Sequence, residues 1–338
     1  MHPSPVTDLL LKWFAQYGRD LAWRHRGGAH PNPYHVLVSE IMLQQTTVAT
    51  VGPYFHRFIA RFPDVASLAA ADIADVYHLW QGLGYYSRAR SLHKTAIILA
   101  NEFGGVFPDD RDAWLKMPGI GPYTAASILS LGFNRAETVV DGNVVRVICR
   151  LFGLDAPVDS IRNQIRIHAT ELTSPHHPAD YASAIMDFGA TVCTPRTPQC
   201  DQCPIAAYCV AHKTDRVAQI PVITKLARPE RHGAAYLIKN SRGQFFIRRR
   251  TGRGLLAGLY ELPWTDDGAP VFHAPAIDTG VTVTHTFTHF KLFLNVRLIE
   301  MDDVPIDGTF VDANMLDGYP MSTLMKKAAA ALMKKSLI

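Results

Sequence analysis

Apolar residues recur at intervals of three and four along most of the first 212 positions, the spacing of amphipathic α-helices. Short breaks rich in glycine and proline separate these stretches, among them GLG, FPDD and MPGIGP. We therefore expect an all-α domain over residues 1–212. The pattern predicts helices in TDLLLKWFAQYG, HVLVSEIMLQQTTVATVGPYFHRFIARF, SRARSLHKTAIILANEF, YTAASILSLGF and NVVRVICRLFG.

The pattern changes after residue 212. Residues 213–232 are polar and contain Pro221 and Pro229, which is typical of a linker between domains. Beyond the linker, alternating apolar and polar positions predict β-strands in AAYLIKN, QFFIRRR and TVTHTFTHFKLFLNVRLIE. A final amphipathic helix is predicted in STLMKKAAAALMKKSL, so residues 233–338 should form a second, α+β domain.

The composition fits a folded protein of ordinary type. The 338 residues are 48% hydrophobic and 19% charged, and they contain no apolar run of about eighteen residues that could span a membrane. The N-terminus lacks a signal-peptide core, so we expect a cytoplasmic protein, with a monomer as the default. A net charge of +4 permits a polyanionic partner but does not demand one.

Four of the five cysteines lie close together in the sequence, with the spacing Cys-x6-Cys-x2-Cys-x5-Cys. In a reducing compartment such a cluster indicates a metal centre more often than disulfides. Zinc sites usually contain two short cysteine pairs, whereas iron–sulfur clusters accept wider spacing. The spacing therefore favours an iron–sulfur cluster on Cys193, Cys200, Cys203 and Cys209, with zinc and unligated thiols as alternatives. Cys149 lies in the apolar run VIC and is predicted to be a core residue.

The segment MPGIGP places two glycines, Gly119 and Gly121, between two helical stretches. Both can adopt positive φ and leave backbone N–H groups bare before a helix that starts near Pro122. Such a helix start binds anions, and because the segment lacks the lysine of a P-loop, a DNA phosphate is a better ligand than a nucleotide. An ordinary helical hairpin is the alternative.

Two carboxylates have unusual surroundings. Asp141, in TVVDGNVVRV, precedes a predicted helix, where it can serve as an N-cap. Glu40, in VLVSEIMLQQT, lies in an apolar helical run, where it is either exposed on the helix surface or buried with a raised pKa. The pattern alone favours the exposed position. One ionised and one protonated carboxyl group together are what cleavage of a glycosidic bond requires.

Taken together, these features resemble the helix-hairpin-helix DNA glycosylases that carry a [4Fe–4S] cluster. The hairpin PGIGPYTA, the aspartate in VVDGNV and the cysteine spacing occur in the order found in that superfamily, and the resemblance covers nearly the whole chain. Within it, SEIMLQQT, GLGYYSRARSLHK and the second domain are similar to adenine DNA glycosylases of the MutY type. The resemblance implies an all-α helix-hairpin-helix domain with a cluster loop, followed by a Nudix-like α+β domain.

The related endonuclease III family differs at one informative position. Its hairpin carries a lysine nucleophile in GxGxKTA, where this chain has Tyr123. Without that amine a strand-nicking lyase step has no obvious nucleophile, and a monofunctional glycosylase is favoured. The alternatives are an endonuclease III-like glycosylase for oxidised pyrimidines and a noncatalytic DNA-binding or redox protein.

The resemblance also implies roles for the site residues. Glu40 would protonate the adenine ring, and Asp141 would stabilise or attack the cationic sugar. Asn143 would orient Asp141, while Tyr123 would shape the pocket that receives the flipped adenine. The implied substrate is double-stranded DNA with adenine opposite 8-oxoguanine or guanine, met at the nucleoid. The implied DNA-binding residues are Leu43, Gln44, Gln45, Tyr85, Gly119, Gly121 and Arg196.

The second domain resembles a Nudix-like module that reads 8-oxoguanine. The segment GLLAGLYELP is similar to the start of a Nudix box, but no REXXEE run follows, so magnesium-dependent pyrophosphate hydrolysis is not expected. The family's Phe-Ser-His recognition loop is Phe287-Thr288-His289 here, which retains a hydroxyl group. A merely stabilising appendage is the alternative.

Overall fold

The computed structural model describes residues 4–24, 31–224, 227–251, 254–269, 271, 273–287 and 289–333. The chain divides into two compact units, Met1–Ala70 with Ser91–Lys225 and Ala71–Arg90 with Leu226–Ile338. A segment of the helical region thus belongs to the second unit. The domain boundaries drawn from the sequence at 212 and 233 stay a prediction.

Thirteen α-helices are present in the described part of the chain. The helix α8 continues directly as a π-helical turn, Ile128–Gly132, and short 3-10 turns lie at Val158–Ser160, Cys200–Gln202, Ala206–Tyr208 and Ala313–Gly318. No helix among the described residues is both long and apolar enough to span a bilayer. The helices are α1 (Pro5–Tyr17), α2 (Pro33–Leu43), α3 (Val48–Arg61), α4 (Val65–Ala69), α5 (Ile73–Trp80), α6 (Ser87–Glu102), α7 (Arg111–Leu115), α8 (Pro122–Ser127), α9 (Gly142–Phe152), α10 (Arg162–Leu172), α11 (Pro178–Thr191), α12 (Val210–Lys213) and α13 (Thr323–Met333).

The helix α2 lies at the centre of the first unit. Every residue from Val36 to Met42 is buried, and the helix packs against α3, α8 and the π-helical turn. A helix that is apolar on all sides is a core helix and has no solvent-facing stripe. The expectation that Glu40 lies on an exposed stripe is therefore wrong, because α2 has no exposed face at that position.

The long helix predicted over residues 35–62 is two helices. Gln45 adopts a left-handed backbone with φ of 60°, which ends α2. Thr47 then caps α3, because its side chain accepts a hydrogen bond from the Thr50 N–H. The break exposes the loop after Leu43 at the surface.

The second unit contains a seven-stranded sheet with the order β3-β2-β1-β6-β5, in which β4 pairs with β1 and β7 with β2. The pair β1–β6 is parallel and the other pairs are antiparallel. The predicted strand segment over residues 282–300 contains two strands, one ending at Thr286 and one beginning at Lys291, and the Phe287 N–H donates to the Phe290 carbonyl at 2.8 Å. The strands are β1 (Glu230–Lys239), β2 (Phe245–Arg249), β3 (Tyr260–Glu261), β4 (Trp264–Thr265), β5 (Ile277–Thr286), β6 (Lys291–Glu300) and β7 (Thr309–Val311).

The two faces of this sheet are covered differently. On one face the helix α13 buries Leu324, Met325 and Ala328 against a continuous apolar layer of the strands. On the other face a smaller cluster around Tyr236 and Phe246 is covered by loop residues. Burial of apolar surface on both faces explains why the central strand β1 is apolar from Ala234 to Ile238.

Candidate active site

Asp141 is the N-cap of α9, and its side chain accepts two hydrogen bonds. One oxygen accepts from the Val144 N–H at 2.7 Å and the other from the Asn143 side-chain amide at 2.8 Å. The capping role and the functional role do not exclude each other, because the cap itself fixes the direction of the carboxylate. Asn143 thus contacts Asp141 directly, and its role in orienting Asp141 for catalysis stays a prediction.

Arg146 in turn fixes Asn143. Its Nη2 donates to the Asn143 Oδ1 at 2.9 Å and to the Gly189 carbonyl at 2.6 Å, and its Nε donates to the Cys193 carbonyl at 2.7 Å. A side chain at Gly189 would collide with Asn143, since an added Cβ would lie 2.8 Å from the Asn143 Cβ. The amide that orients Asp141 is thus held from two sides.

Glu40 is only 5% exposed, and burial raises the pKa of its carboxyl group. The hydroxyls of Tyr123 and Ser127 and the Arg24 guanidinium oppose this rise, whereas the negative charge of Asp141 adds to it. Among the described residues, Glu40 Oε2 has no hydrogen-bond partner. A buried carboxyl oxygen without a partner is costly, and such groups are found where a ligand supplies the missing contact.

The surroundings of the two carboxyl groups differ. Burial also raises the pKa of Asp141, but the hydrogen bonds from the Val144 N–H and Asn143, together with the Arg146 charge, favour its ionised form. Glu40 has one oxygen without such a donor. Hydrogen bonds therefore stabilise the charged form of Asp141 at both oxygens, whereas burial raises the pKa of both groups.

Tyr123 interacts with both of these groups. Burial, followed by the charges of Glu40 and Asp141, raises its pKa well above the ordinary value of 10.0, so the phenol remains neutral. Its hydroxyl donates to the Met186 sulfur at 3.4 Å. Tyr123 thus interacts with both carboxyl groups, and its phenol offers no amine for a lyase step. Its role in shaping the adenine pocket stays a prediction.

A buried ion-pair group that sequence patterns did not predict includes Arg24, whose charge acts on Glu40. Asp187, which is fully buried in α11, accepts hydrogen bonds from Arg24 Nη1 at 2.8 Å and from the Arg19 backbone and guanidinium at 2.6–2.9 Å. Burial would raise the pKa of Asp187, but the two arginines outweigh burial and lower it. Asp187 thereby holds Arg24 beside Glu40. The lone acid in the apolar run AIMDFGA was the available sequence signal.

The hairpin that precedes α8 differs in one respect from the prediction. Gly119 has the expected positive φ, 75°, and its Cα lies so close to α6 that an added Cβ would be 2.6 Å from the Ser91 Cβ. Gly121 has a φ of −98° and so does not use the positive φ that was considered for both glycines. Its backbone is extended because it is the N-cap of α8, which begins at Pro122 as expected.

Gln44 is tied to this hairpin. Its side-chain amide donates to Thr124 Oγ1 at 3.3 Å and to the Gly119 carbonyl at 3.5 Å. The next residue, Gln45, is exposed and projects from a left-handed position, while Leu43 is partly buried at the end of α2. The hairpin and the loop that carries Leu43, Gln44 and Gln45 therefore form one continuous surface of the first unit.

The four clustered cysteines line a common cavity at the base of α9. Arg150, which is buried, donates from Nη1 to the Cys193 sulfur at 3.4 Å and to the Thr194 carbonyl at 2.7 Å. Among the described residues, no three His, Cys, Asp or Glu side chains are placed to hold a single metal ion. Four thiols around one cavity, with a cationic donor at one of them, fit an anionic iron–sulfur cluster. Arg196 is exposed on the same loop, and Cys149 is buried in the core as predicted.

Residues of the predicted recognition loop line a cavity of about 550 Å³ in the second unit. Phe287, His289 and Tyr85 all lie on its wall, and the Phe287 ring contacts the His285 ring at a centroid distance of 4.6 Å. Tyr85 is 47% exposed and has a left-handed backbone with φ of 49°, an unusual conformation for an aromatic residue. Thr288 lies outside the described residues.

Three family models match successive parts of the chain. Residues 38–170 match the HhH-GPD superfamily base excision DNA repair protein, and residues 193–209 match the iron–sulfur binding domain of endonuclease III. Residues 234–331 match the NUDIX domain. These matches confirm the predicted fold class and the predicted iron–sulfur cluster.

Solved structures with a similar fold include a thermostable thymine-DNA glycosylase. That enzyme is 29% identical with a TM-score of 0.56, and the match covers 62% of this chain and 95% of the other. A non-covalent endonuclease III–DNA complex, at 24% identity and a TM-score of 0.52, shows the same fold. Both matches cover the same share of this chain.

Curated relatives identify the family more closely. An adenine DNA glycosylase of Homo sapiens is 43% identical over 94% of this chain and 72% of its own length. The Buchnera aphidicola (Baizongia pistaciae) enzyme of that name is 34% identical over 75% of this chain and 72% of its own length. The Rattus norvegicus enzyme is 43% identical, but this chain spans only 42% of its length. From the matches to the human and Buchnera proteins, which extend over most of both sequences, we conclude that the chain belongs to the adenine DNA glycosylase family.

Proposed function

We propose that this protein is a monofunctional DNA glycosylase that releases mispaired adenine from duplex DNA in base excision repair. The observation that carries the proposal is the buried Glu40, whose pKa is raised and whose Oε2 has no partner in the described part of the chain. The charge of Asp141 acts on Glu40, and the Asp141 carboxylate accepts two hydrogen bonds. Membership of the adenine DNA glycosylase family supports the choice of base.

The proposed reaction begins with proton transfer from Glu40 to a ring nitrogen of the flipped adenine. The bond between the sugar carbon and the adenine nitrogen then breaks, and its electron pair leaves with the neutral base. The Asp141 carboxylate stabilises the positive sugar that remains, or forms a short-lived bond to it. Water adds to the sugar carbon and loses a proton to Glu40, which restores both carboxyl groups.

We infer that the chain does not nick the strand itself. A lyase step requires an amine that forms a Schiff base with the opened sugar. The hairpin offers Tyr123 at the position where endonuclease III relatives carry lysine, and burial keeps that phenol neutral. The reaction therefore ends with an intact strand that carries an abasic site.

Conservative variants of the two carboxyl residues test this assignment. Glu40→Gln and Asp141→Asn keep the shape of each side chain but remove the proton donor or the negative charge. We expect each to lower single-turnover adenine release by at least about a hundredfold, the usual scale of general acid and electrostatic contributions. DNA affinity, measured by fluorescence anisotropy, should stay within a fewfold of the parent. Undiminished release in both variants would refute the catalytic roles.

We further propose that the favoured substrate is adenine opposite 8-oxoguanine. 8-Oxoguanine differs from guanine by an additional N–H donor and carbonyl acceptor. A site that recognises 8-oxoguanine therefore requires an aromatic surface and polar side chains. The cavity of about 550 Å³ offers Tyr85 and Phe287 as aromatic surfaces and His289 as a polar side chain, and its volume is that of a small-molecule site. Thr288 would supply a hydroxyl group in the same loop.

Phe287→Ala tests the preference. Loss of one aromatic contact to a base costs about 1–3 kcal/mol, so the preference for adenine opposite 8-oxoguanine over adenine opposite guanine should fall by roughly fivefold or more. The measurement is the ratio of single-turnover rates at subsaturating enzyme. Phe293→Ala, an aromatic change on β6 outside the cavity, is the control and should leave the ratio unchanged. An equal ratio in the two variants would contradict this substrate assignment.

We also propose that the enzyme acts as a monomer on DNA in the cytoplasmic nucleoid. A single chain contains both carboxyl groups, the cluster cysteines and the recognition cavity, so no second copy is needed to complete a site. Sedimentation at micromolar concentration should give the mass of one chain, 37.5 kDa.

A further inference from the structure

The turn between α5 and α6 has an unusual backbone. Gly82 and Gly84 adopt positive φ values of 103° and 70°, and Tyr85 follows them with a φ of 49°. Glycine takes such values freely, whereas a residue with a bulky side chain is strained there. Contacts of neighbouring residues offset the strain at Tyr85, and Arg88 supplies several of these contacts.

Arg88 binds this turn through its guanidinium group. Its Nη2 donates to the Leu83 carbonyl at 3.1 Å and to the Gly84 carbonyl at 3.1 Å. The indole N–H of Trp80 donates to the same Gly84 carbonyl at 3.2 Å. The Arg88 backbone N–H also donates to the Tyr85 carbonyl at 2.9 Å. The carbonyls of three successive residues are thus held by donors from Trp80 and Arg88.

The same guanidinium group lies against two aromatic rings. Its central carbon, Cζ, is 5.4 Å from the centroid of the Tyr85 ring and 5.5 Å from that of the Trp80 ring. Both distances are within the range of cation–π attraction, which is strongest for groups removed from water. Arg88 is only 7% exposed and Trp80 is fully buried, so the two side chains form a fixed support for the half-exposed Tyr85 ring.

The position of Arg88 is costly for stability. Burial opposes its positive charge and lowers the pKa of its guanidinium group to about 10. Arg88 is also the second residue of α6, where the partial positive charge of the helix N-terminus repels a cation. An apolar side chain would avoid both costs but would leave the Leu83 and Gly84 carbonyls without this donor. The arginine is therefore explained by what it holds, which is the turn and the Tyr85 ring.

We propose that Arg88 is a positioning residue for DNA recognition, which holds the Tyr85 ring ready to stack on a base beside the mispair. Tyr85 lines the recognition cavity, whereas Arg88 and Trp80 do not, so Arg88 acts through Tyr85. A ring that is held in place before binding loses less freedom when it stacks on a base, and it therefore binds more tightly. The inference rests on the proposed function, which makes mispaired DNA the ligand.

A double-mutant cycle tests this role. The full chain is titrated by fluorescence anisotropy against a duplex with tetrahydrofuran, an abasic-site analogue, opposite 8-oxoguanine. Because this duplex has no adenine to release, its affinity is measured apart from catalysis. Tyr85→Ala should weaken binding about fivefold or more, the scale of one lost base–aromatic stack. Arg88→Lys, which keeps the charge but loses the planar fork, should weaken binding about threefold or more.

In the Tyr85→Ala background, Arg88→Lys should weaken binding by less than about 1.5-fold, because Arg88 then has no ring to hold. A fully paired duplex should bind the parent and Arg88→Lys equally, which separates positioning from a general loss of folding. Arg242→Lys, in the exposed β1–β2 turn, is the matched control and should change neither affinity. Thermal melting checks the folding of each variant, and Arg88→Gln, with the same expected results, replaces a lysine variant that does not fold.

Equal losses from Arg88→Lys in the parent and in the Tyr85→Ala background would overturn the inference, because Arg88 would then act on the DNA or on the fold directly. Unchanged affinity in Tyr85→Ala, or equal losses from Arg88→Lys on the two duplexes, would overturn it as well. Parent protein that binds the analogue duplex with the expected dependence on Tyr85 and Arg88 but releases no adenine would refute the proposed function and leave this inference intact.

Discussion

Glu40 lies where ionisation of a carboxyl group is costly. The helix α2 buries it on all sides, and no donor among the described residues satisfies Oε2. Asp187 compensates for part of the cost indirectly, because it fixes the Arg24 guanidinium nearby. Because its charged form is unfavourable, Glu40 can hold a proton and donate it, as the proposed base release requires.

This cost predicts that Glu40→Gln stabilises the fold while it abolishes activity. The folded-state pKa of Glu40 is raised above the ordinary value of 4.5. The stability that the protonated Glu40 carboxyl group contributes is therefore complete below pH 4.5 and is lost as the pH rises through the folded-state pKa. Glutamine does not titrate, so the free energy of unfolding of the variant should exceed that of the parent by about 1–3 kcal/mol at high pH and by much less near pH 4. Urea unfolding from about pH 4 to pH 8 measures the difference.

The control for this experiment is Glu102→Gln, which alters an exposed carboxyl group at the end of α6. The difference in free energy of unfolding between Glu102→Gln and the parent should not grow with pH in this way. A Glu40→Gln difference that stays constant across the range would mean that Glu40 titrates normally in the folded protein.

At the level of single residues, local sequence patterns predicted some roles and missed others. The N-cap position of Asp141 follows from an acid before an apolar helical run, and its contacts reach only two and three residues along the chain. The pair of Asp187 with Arg24 spans 163 positions, so no local pattern contains it. The burial of Glu40 was missed because periodicity does not separate a fully buried helix from a half-buried one.

At the level of elements, the hairpin before α8 depends on close approach of the backbone to α6. Gly119 makes this possible with a positive φ and with no side chain opposite Ser91. The hairpin then brings its carbonyl within reach of Gln44. A small change at this glycine should therefore affect both stability and the surface that we propose faces DNA.

Gly119→Ala should destabilise the protein by more than the roughly 1–2 kcal/mol that a left-handed alanine costs, because the added Cβ would also meet Ser91 at 2.6 Å. Gly121→Ala is the matched control, since Gly121 has a φ of −98° and no atom lies within 4 Å of an added Cβ. Urea unfolding and duplex affinity are measured for both variants. Equal losses in the two would contradict the packing described for the hairpin.

Element types were largely predictable, whereas their boundaries were not. The apolar periodicity that predicts α1, α6 and α9 is strong because each of these helices has one buried face. The alternation of strand residues continues through FTHF, so the pattern did not show that β5 ends at Thr286 and β6 begins at Lys291. A loop at Phe287-Thr288-His289 was expected from the family resemblance alone. A turn held by a backbone hydrogen bond leaves little trace in the pattern when it contains neither glycine nor proline.

At the level of the whole molecule, the sequence predicted the succession of modules and the family models confirmed it. The membership of residues 71–90 in the second unit was not predictable. It depends on contacts such as Gln81 with the Tyr319 carbonyl at 3.2 Å and Tyr86 with the Met321 carbonyl at 3.4 Å, which join distant parts of the chain. This grouping is what places Tyr85 in the same cavity as Phe287.

The most direct test of the account is single-turnover base release by the purified protein from four duplexes. These contain adenine opposite 8-oxoguanine, guanine or thymine, and thymine glycol opposite adenine, each analysed with and without alkali. The account predicts release of adenine only from the two mispairs, fastest opposite 8-oxoguanine, with strand breaks only after alkali, because Tyr123 supplies no amine. Release of thymine glycol with direct nicking would contradict it, since another residue would then act as the lyase nucleophile and the proposed chemistry of Glu40 and Asp141 would not describe this enzyme.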